Sequence, residues 1–205
     1  MEQTSTRIVA KNLININEIS LSNIIRRMDV ITRAMLQDAV SCAHDAGIYE
    51  SIYNRDVDVN RLYYLGYRAI KNAIKNPRIA KSFGIDAWKL HSDTLIIKKI
   101  ERIADMQKRI ARFLANAELD KKALAELENI YTGISESYNE VMKSYYTNDR
   151  EIAYGVEIAN RSKTELCDQF LESYTAISST KAKGAHSKLV TVAKIVENLK
   201  GTAVD

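Results

Sequence analysis

An all-α fold is predicted by three observations. The chain of 205 residues contains one proline and seven glycines, too little punctuation for the turns of a sandwich or barrel but ample for long helices. Apolar residues recur at helical spacing over long stretches. Ser, Asp and Asn stand where those stretches begin, positions from which a side-chain oxygen satisfies the orphan amides of a first turn.

Each element follows from these signals. The first helix starts at Ser20 or Ser22 and runs to Gly47, with Ile24, Ile25, Met28, Ile31, Met35, Val40 and Ala43 at helical spacing. The second carries residues 49–75 and stops at Asn76, because Pro77 disfavours a helical residue before it. Tyr63, Tyr64 and Tyr67, with Leu62 and Leu65, read as its packing face. A short turn, "RIAKSFGI", follows, and Asp86 caps a third helix reaching about Asn116. Asp120 then caps a fourth helix that ends before "TND", and Asn148 or Asp149 starts a fifth through residue 177. A sixth covers residues 184–205 after the polar "SSTKAKGAHS". The rhythm is three long helices twice, which divides the chain into a short segment at 1–18, a first three-helix unit at 19–117 and a second at 118–205. Antiparallel packing of such helices gives one extended bundle core.

Composition bounds the function classes. With 46% hydrophobic and 27% charged residues the chain can bury a proper core. A formal net charge of +4 and a pI near 8.9 are too mild to imply nucleic acid or a membrane surface. The two cysteines, Cys42 and Cys167, have no metal or redox spacing and read as free buried thiols of a reducing compartment, the cytoplasm. No apolar run is long enough for membrane insertion. No nucleophile with a base, phosphate-cradling glycine loop or dinucleotide fingerprint appears, so the expectation is not an enzyme. His44, His91 and His186 are scattered without ligand spacing and read as surface or helix-end residues.

The stretch "IIKKIERIADMQKRIA" holds the sharpest question. Glu101 and Asp105 lie one turn apart on the third helix, where like charges repel unless something positive sits between them. A lysine or a metal ion would serve. Lys98 precedes Glu101 by three residues, and Arg102, Lys108 and Arg109 flank Asp105 at three or four, so surface ion pairs are one complete explanation.

The stretches "RRMDVITRAMLQDAV", "YNRDVDVNRLYYLGYRAI" and "IIKKIERIADMQKRIA" resemble, in order and spacing, the PhoU phosphate-uptake regulators. The resemblance implies two three-helix repeats forming an extended PhoU-like bundle, with metal ions bound at acidic clusters on its surface. The family's acidic pair on the third helix is matched by Glu101 and Asp105, and the partner pair on the second by Asp56 and Asn60, which together give the expected metal ligands. Two side chains from each of adjacent helices can converge on one ion. Their oxygens suit Mg, Mn or Fe better than Zn, because the set has no histidine. Asn60 stands where the family has an acid, which predicts a weaker site, while Asp58 reads as solvent-facing. In the second half, Glu197 aligns with Glu101 and Gly201 with Asp105, while the preceding helix offers Arg161 and Glu165, or Asn160 and Thr164, so that half is expected to be silent.

The resemblance also implies a regulator of phosphate uptake or phosphate signalling, acting on a phosphate transporter or signalling protein and assembling as a homo-oligomer, a dimer. Archaeal relatives carry a DNA-binding β-domain ahead of the bundle. Residues 1–18 are too short for one and hold at most the single strand "TRIVAKNL", so specific DNA binding is not expected. Two alternatives stand beside this reading: a transcriptional regulator module contacting DNA through Lys98, Lys99, Arg102, Lys108, Arg109 and Arg112, and a helical scaffold with a vestigial metal site.

Overall fold

The computed structural model describes residues 2–3, 8–9, 20–82, 86–116, 121–156, 165–166 and 169. Five helices carry the fold: α1 (Leu21–Ala39), α2 (Ile48–Lys75), α3 (Pro77–Ser82), α4 (Ala87–Leu114) and α5 (Lys121–Thr147). A sixth, α6, begins at 150–156. The remainder of the expected fifth helix, apart from residues 165, 166 and 169, and all of the sixth lie outside the described residues.

Three of the expected caps operate, while Asp120, the cap expected for α5, lies outside the described residues. Ser20 Oγ accepts from the Asn23 amide at α1, and Asp86 accepts from the Lys89 amide at 2.7 Å at α4. Asp149 Oδ1 accepts from the Glu151 amide at 3.0 Å at the start of α6. Asn148 enters the left-handed region at φ 53°, which asparagine tolerates better than most residues, and ends α5.

Four expectations are corrected. The first helix stays α-helical only to Ala39 and tightens into a 3-10 turn at Val40–Ala43 before Gly47. There Ser41 O takes both the His44 and Asp45 amides, and Asp45 Oδ1 takes the Gly47 amide at 2.8 Å, local bonds that compete with the α ladder. The turn after Pro77 is the short helix α3, because Asn76 closes α2 and also caps the next helix, accepting from the Arg78 amide at 3.2 Å with proline at the first helical position. The tyrosine group is not all core. Leu62 is buried and Tyr63 and Leu65 are half-buried, but Tyr64 is 65% exposed and Tyr67 is 46% exposed, both packed against the Tyr63 ring. Finally, the strand at Ile8–Val9 has a partner, pairing antiparallel with Glu2–Gln3 and so satisfying backbone groups that a lone strand leaves open.

The first unit is a three-helix bundle in which α1, α2 and α4 all pack on one another. α2 runs against both neighbours. Arg55 on α2 meets Asp38 late in α1, and Gly66 sits against Ile24 of α1 and Ile97 of α4. α4 explains the core most directly. Leu90, Asp93, Ile96, Ile100, Ile103, Gln107, Ile110 and Leu114 follow one another at steps of three or four, the seam of a left-handed packed helix, and all are buried. Each fully buried isoleucine contributes about 1.5–3 kcal/mol of transfer free energy. The seam's two polar members are answered by α5, which runs antiparallel to α1 and α4: Tyr131 Oη donates to Gln107 Oε1 at 2.8 Å and Tyr145 Oη to Asp93 Oδ1 at 2.7 Å. With α5 on the α1 and α4 side, no other long helix among the described residues covers the outer face of α2 and α4, and the acidic pair of α4 stands on it.

A candidate ion-paired acidic face on α2 and α4

The antiparallel packing of α2 against α4 brings Asp56 opposite the Asp105 turn. Asp56 is only 3% exposed, in line with Ile52 and Val59 on the inward face of α2, and a carboxylate taken that far from water must be paired. Lys108 pairs it. Its Nζ donates to Asp56 Oδ2 at 2.6 Å and lies 3.1 Å from Asp105 Oδ1. Arg109 Nε holds the other Asp105 oxygen at 2.8 Å. Asn60 completes the group by donating its amide nitrogen to Asp56 Oδ2 at 3.2 Å.

The charges of this group are felt by all its members. Burial raises the Glu101 carboxyl above the usual carboxylate range, Asp105 and Asp56 raise it further, and Lys108 and Arg102 work the other way. Burial of the Lys108 ammonium would lower it, but the hydrogen bonds and charges of Asp56 and Asp105 outweigh that and hold it above its ordinary value. The face is thus a mixed network in which carboxylates outnumber the partly buried cation at its centre.

All four sequence-predicted ligands therefore fall on one face, as their spacing requires. The arrangement does not fit a divalent ion while Lys108 holds it. The ammonium bridges two of the carboxylates, and Asn60 turns its amide nitrogen, not its oxygen, toward Asp56. Among the described residues no three His, Cys, Asp or Glu side chains are grouped to hold a metal. Lys108 is the central cation of this face, and in the sequence it is only one flanking base among several. Its signal is the combination of an i+3 position from Asp105 with a neutral Asn60 where an acid is expected.

The other candidates are less coherent. Asp58 is exposed and paired with Arg61 at 3.0 Å. His44 and His91 are exposed, the first 3.1 Å from Glu128 and the second beside the Trp88 ring. Cys42 is buried, and burial with the charges of Asp38 and Asp45 pushes its thiol up to about 11. Lys99 and Lys108, nine residues apart, point to opposite sides of α4, and Lys108 and Arg109 are engaged by acids, so the six bases do not form one ridge. Of the second-half counterparts Glu165 is helical and exposed; Asn160, Arg161, Thr164, Glu197 and Gly201 lie outside the described residues, as do Cys167 and His186.

Beside the acidic face lies an open groove of about 760 Å³ between the start of α2 and the end of α4, with Tyr49, Tyr53, Arg112 and Phe113 on its walls. No helix among the described residues is long and apolar enough to cross a membrane.

Comparison with known proteins matches this geometry to one family. The family profile described as "PhoU domain" matches residues 25–114, from the first turns of α1 to the last residue of α4. Among solved structures the chain resembles PhoU from Pseudomonas aeruginosa with a TM-score of 0.73 and 15% sequence identity, over 90% of this chain and 90% of that one. No curated protein matches the sequence. The α1, α2 and α4 bundle that carries the acidic face is the part of the chain that matches the PhoU-domain profile, and the chain has the helical fold of that PhoU structure.

Proposed function

We propose that this chain is a cytoplasmic regulator of phosphate uptake or phosphate signalling, not an enzyme, that works by protein contact with a phosphate transporter or a signalling partner and assembles as a homodimer. The single observation that carries the reading is the PhoU-domain match over residues 25–114. The Pseudomonas aeruginosa structure supports the fold and, at 15% identity, nothing finer. A protein-contact role is consistent with the chemistry of the surface: long helices with engaged ion pairs, and no nucleophile and base brought together on the acidic face. The DNA-binding alternative draws no support from α4, whose bases are divided between two sides and partly neutralised.

The experiment is a deletion of the gene in its native host, followed by uptake of radiolabelled phosphate in replete and limiting medium and by capture of a tagged copy from both cultures. Altered uptake in replete medium, restored by the gene in trans, together with recovery of a transporter component or signalling protein, is the expected result. Unchanged uptake in both media would remove the phosphate reading and leave a helical scaffold of another purpose. Light scattering on the purified chain tests the dimer directly.

A further inference from the structure

We propose that Lys108 is the resident cation of the acidic face, tethered to the chain and standing where a divalent ion would otherwise bridge α2 and α4, so that the PhoU domain of this protein is stable without metal. The argument rests on charge and geometry. Asp56 is nearly inaccessible to water and needs a positive partner from another helix. Lys108 Nζ reaches it at 2.6 Å and lies 3.1 Å from Asp105, so one ammonium joins two carboxylates on two helices, the same cross-link a bridging ion supplies. Lys108 is itself only 23% exposed at the side chain, which strengthens the pairing relative to a surface ion pair.

The substitution has a second half. A divalent ion brings two positive charges and a lysine one, so a lysine-centred cluster tolerates fewer acids. Asn60 is neutral and lies one turn from Asp56, where a second carboxylate would add a charge the lysine has no capacity to balance. Its amide instead donates to Asp56 alongside the lysine. Arg109 supplies the remaining positive charge to Asp105 from the solvent side. Lys108 and Asn60 thus act as one coordinated change. The corollary is a latent response to cations: without the Lys108 ammonium, Asp56, Glu101 and Asp105 are left as unbalanced carboxylates on one face, which must close up to hold an ion, with the Asn60 amide free to turn its oxygen inward.

Thermal unfolding of the full chain, followed by circular dichroism in EDTA and in about 1 mM Mn²⁺, tests this on the wild type, on Lys108→Met and on Asp56→Asn with Lys108→Met. The wild-type midpoint is expected to be the same in both buffers within about 1 °C, since no ion binds the native state in preference. Lys108→Met is expected to lose about 5 °C or more in EDTA and to recover part of it in Mn²⁺. The double variant is expected to regain stability in EDTA and to show a smaller Mn²⁺ response. A wild-type midpoint that falls in EDTA and rises in Mn²⁺ overturns the proposal by itself, whatever the variants do. So does a Lys108→Met protein as stable as wild type in EDTA. If Lys108→Met does not fold, a folded double variant sustains the proposal, and failure of both variants to fold overturns it.

Discussion

Asp29 on α1 is the buried charge whose removal has the most calculable cost. Its side chain is 4% exposed and accepts from Arg33 Nε at 2.8 Å, from the second Arg33 nitrogen at 3.0 Å and from Tyr146 Oη of α5 at 2.9 Å. Arg33 also donates to Asn139 Oδ1 of α5 at 2.8 Å and sits 5.9 Å from the Tyr138 ring centre. Asp29→Ala removes the anion and leaves a guanidinium and a phenol without their acceptor. Breaking a buried pair by removing one partner costs about 3–5 kcal/mol. Arg33 remains 32% exposed and Tyr146 37% exposed, so water can reach both once the carboxylate is gone, which places the cost near about 3 kcal/mol. At about 2–4 °C per kcal/mol for a chain of this size, the midpoint should fall by about 6–12 °C. Tyr146→Phe removes one hydrogen bond and should cost about 1 kcal/mol. Urea unfolding followed at 222 nm measures both. An Asp29→Ala cost no larger than that of Tyr146→Phe would show that the guanidinium pair contributes nothing net and refute the reasoning.

Three further outcomes are expected. A β-carbon at Gly66 would meet Ile24 at 3.4 Å, Ile97 at 3.5 Å and Leu21 at 3.7 Å, ordinary contact distances, so Gly66→Ala should be neutral or stabilise α2 by up to about 1 kcal/mol in urea melts; a loss of stability would mean the α1, α2 and α4 packing is tighter than described. The raised Glu101 carboxyl makes a contribution that is fully present below its unfolded value of 4.5 and is lost as pH rises through its higher folded value, so Glu101→Gln should raise the thermal midpoint at pH 7, with the gain fading below pH 4.5; a midpoint lowered at pH 7 would mean that Glu101 is held by a cation after all. In gel-shift titrations at physiological salt the chain should bind its own promoter DNA weakly and without sequence preference, and tight selective binding would promote the transcription-factor alternative.

The long helices were legible because their signals are local. Ser20, Asn76 and Asp86 sit at their caps as composition and spacing imply, and the stripe of Ile96, Ile100, Ile103 and Ile110 can be counted off the sequence. α3 is hidden in the sequence because the dipeptide Asn76 and Pro77 ends one helix and begins another with the same two residues. Tyr64 and Tyr67 read as packing residues in the sequence because tyrosine does not declare which side of a helix its ring covers. Spacing alone puts Glu101 beside Asp105 and Asp56 beside Asn60, and it is the PhoU resemblance that sets the two pairs against each other. Which cation answers them was not readable, because that depends on the relative depth of two helices. A shift of one turn would have carried Lys108 past Asp56 and left it among the solvated bases.

The phenols of α5 act together as a key. Tyr131, Tyr145 and Tyr146 end on Gln107, Asp93 and Asp29, acceptors spread along two different helices of the three-helix bundle. Sliding α5 by one turn, about 5.4 Å, would withdraw all three at once, leaving Asp29 to Arg33 and Asp93 to Lys89 within their own helices and Gln107 Oε1 without the Tyr131 phenol. The start of the second half is therefore indexed to the first, and α5 shifts against α1 and α4 only when all three phenol contacts are drawn together.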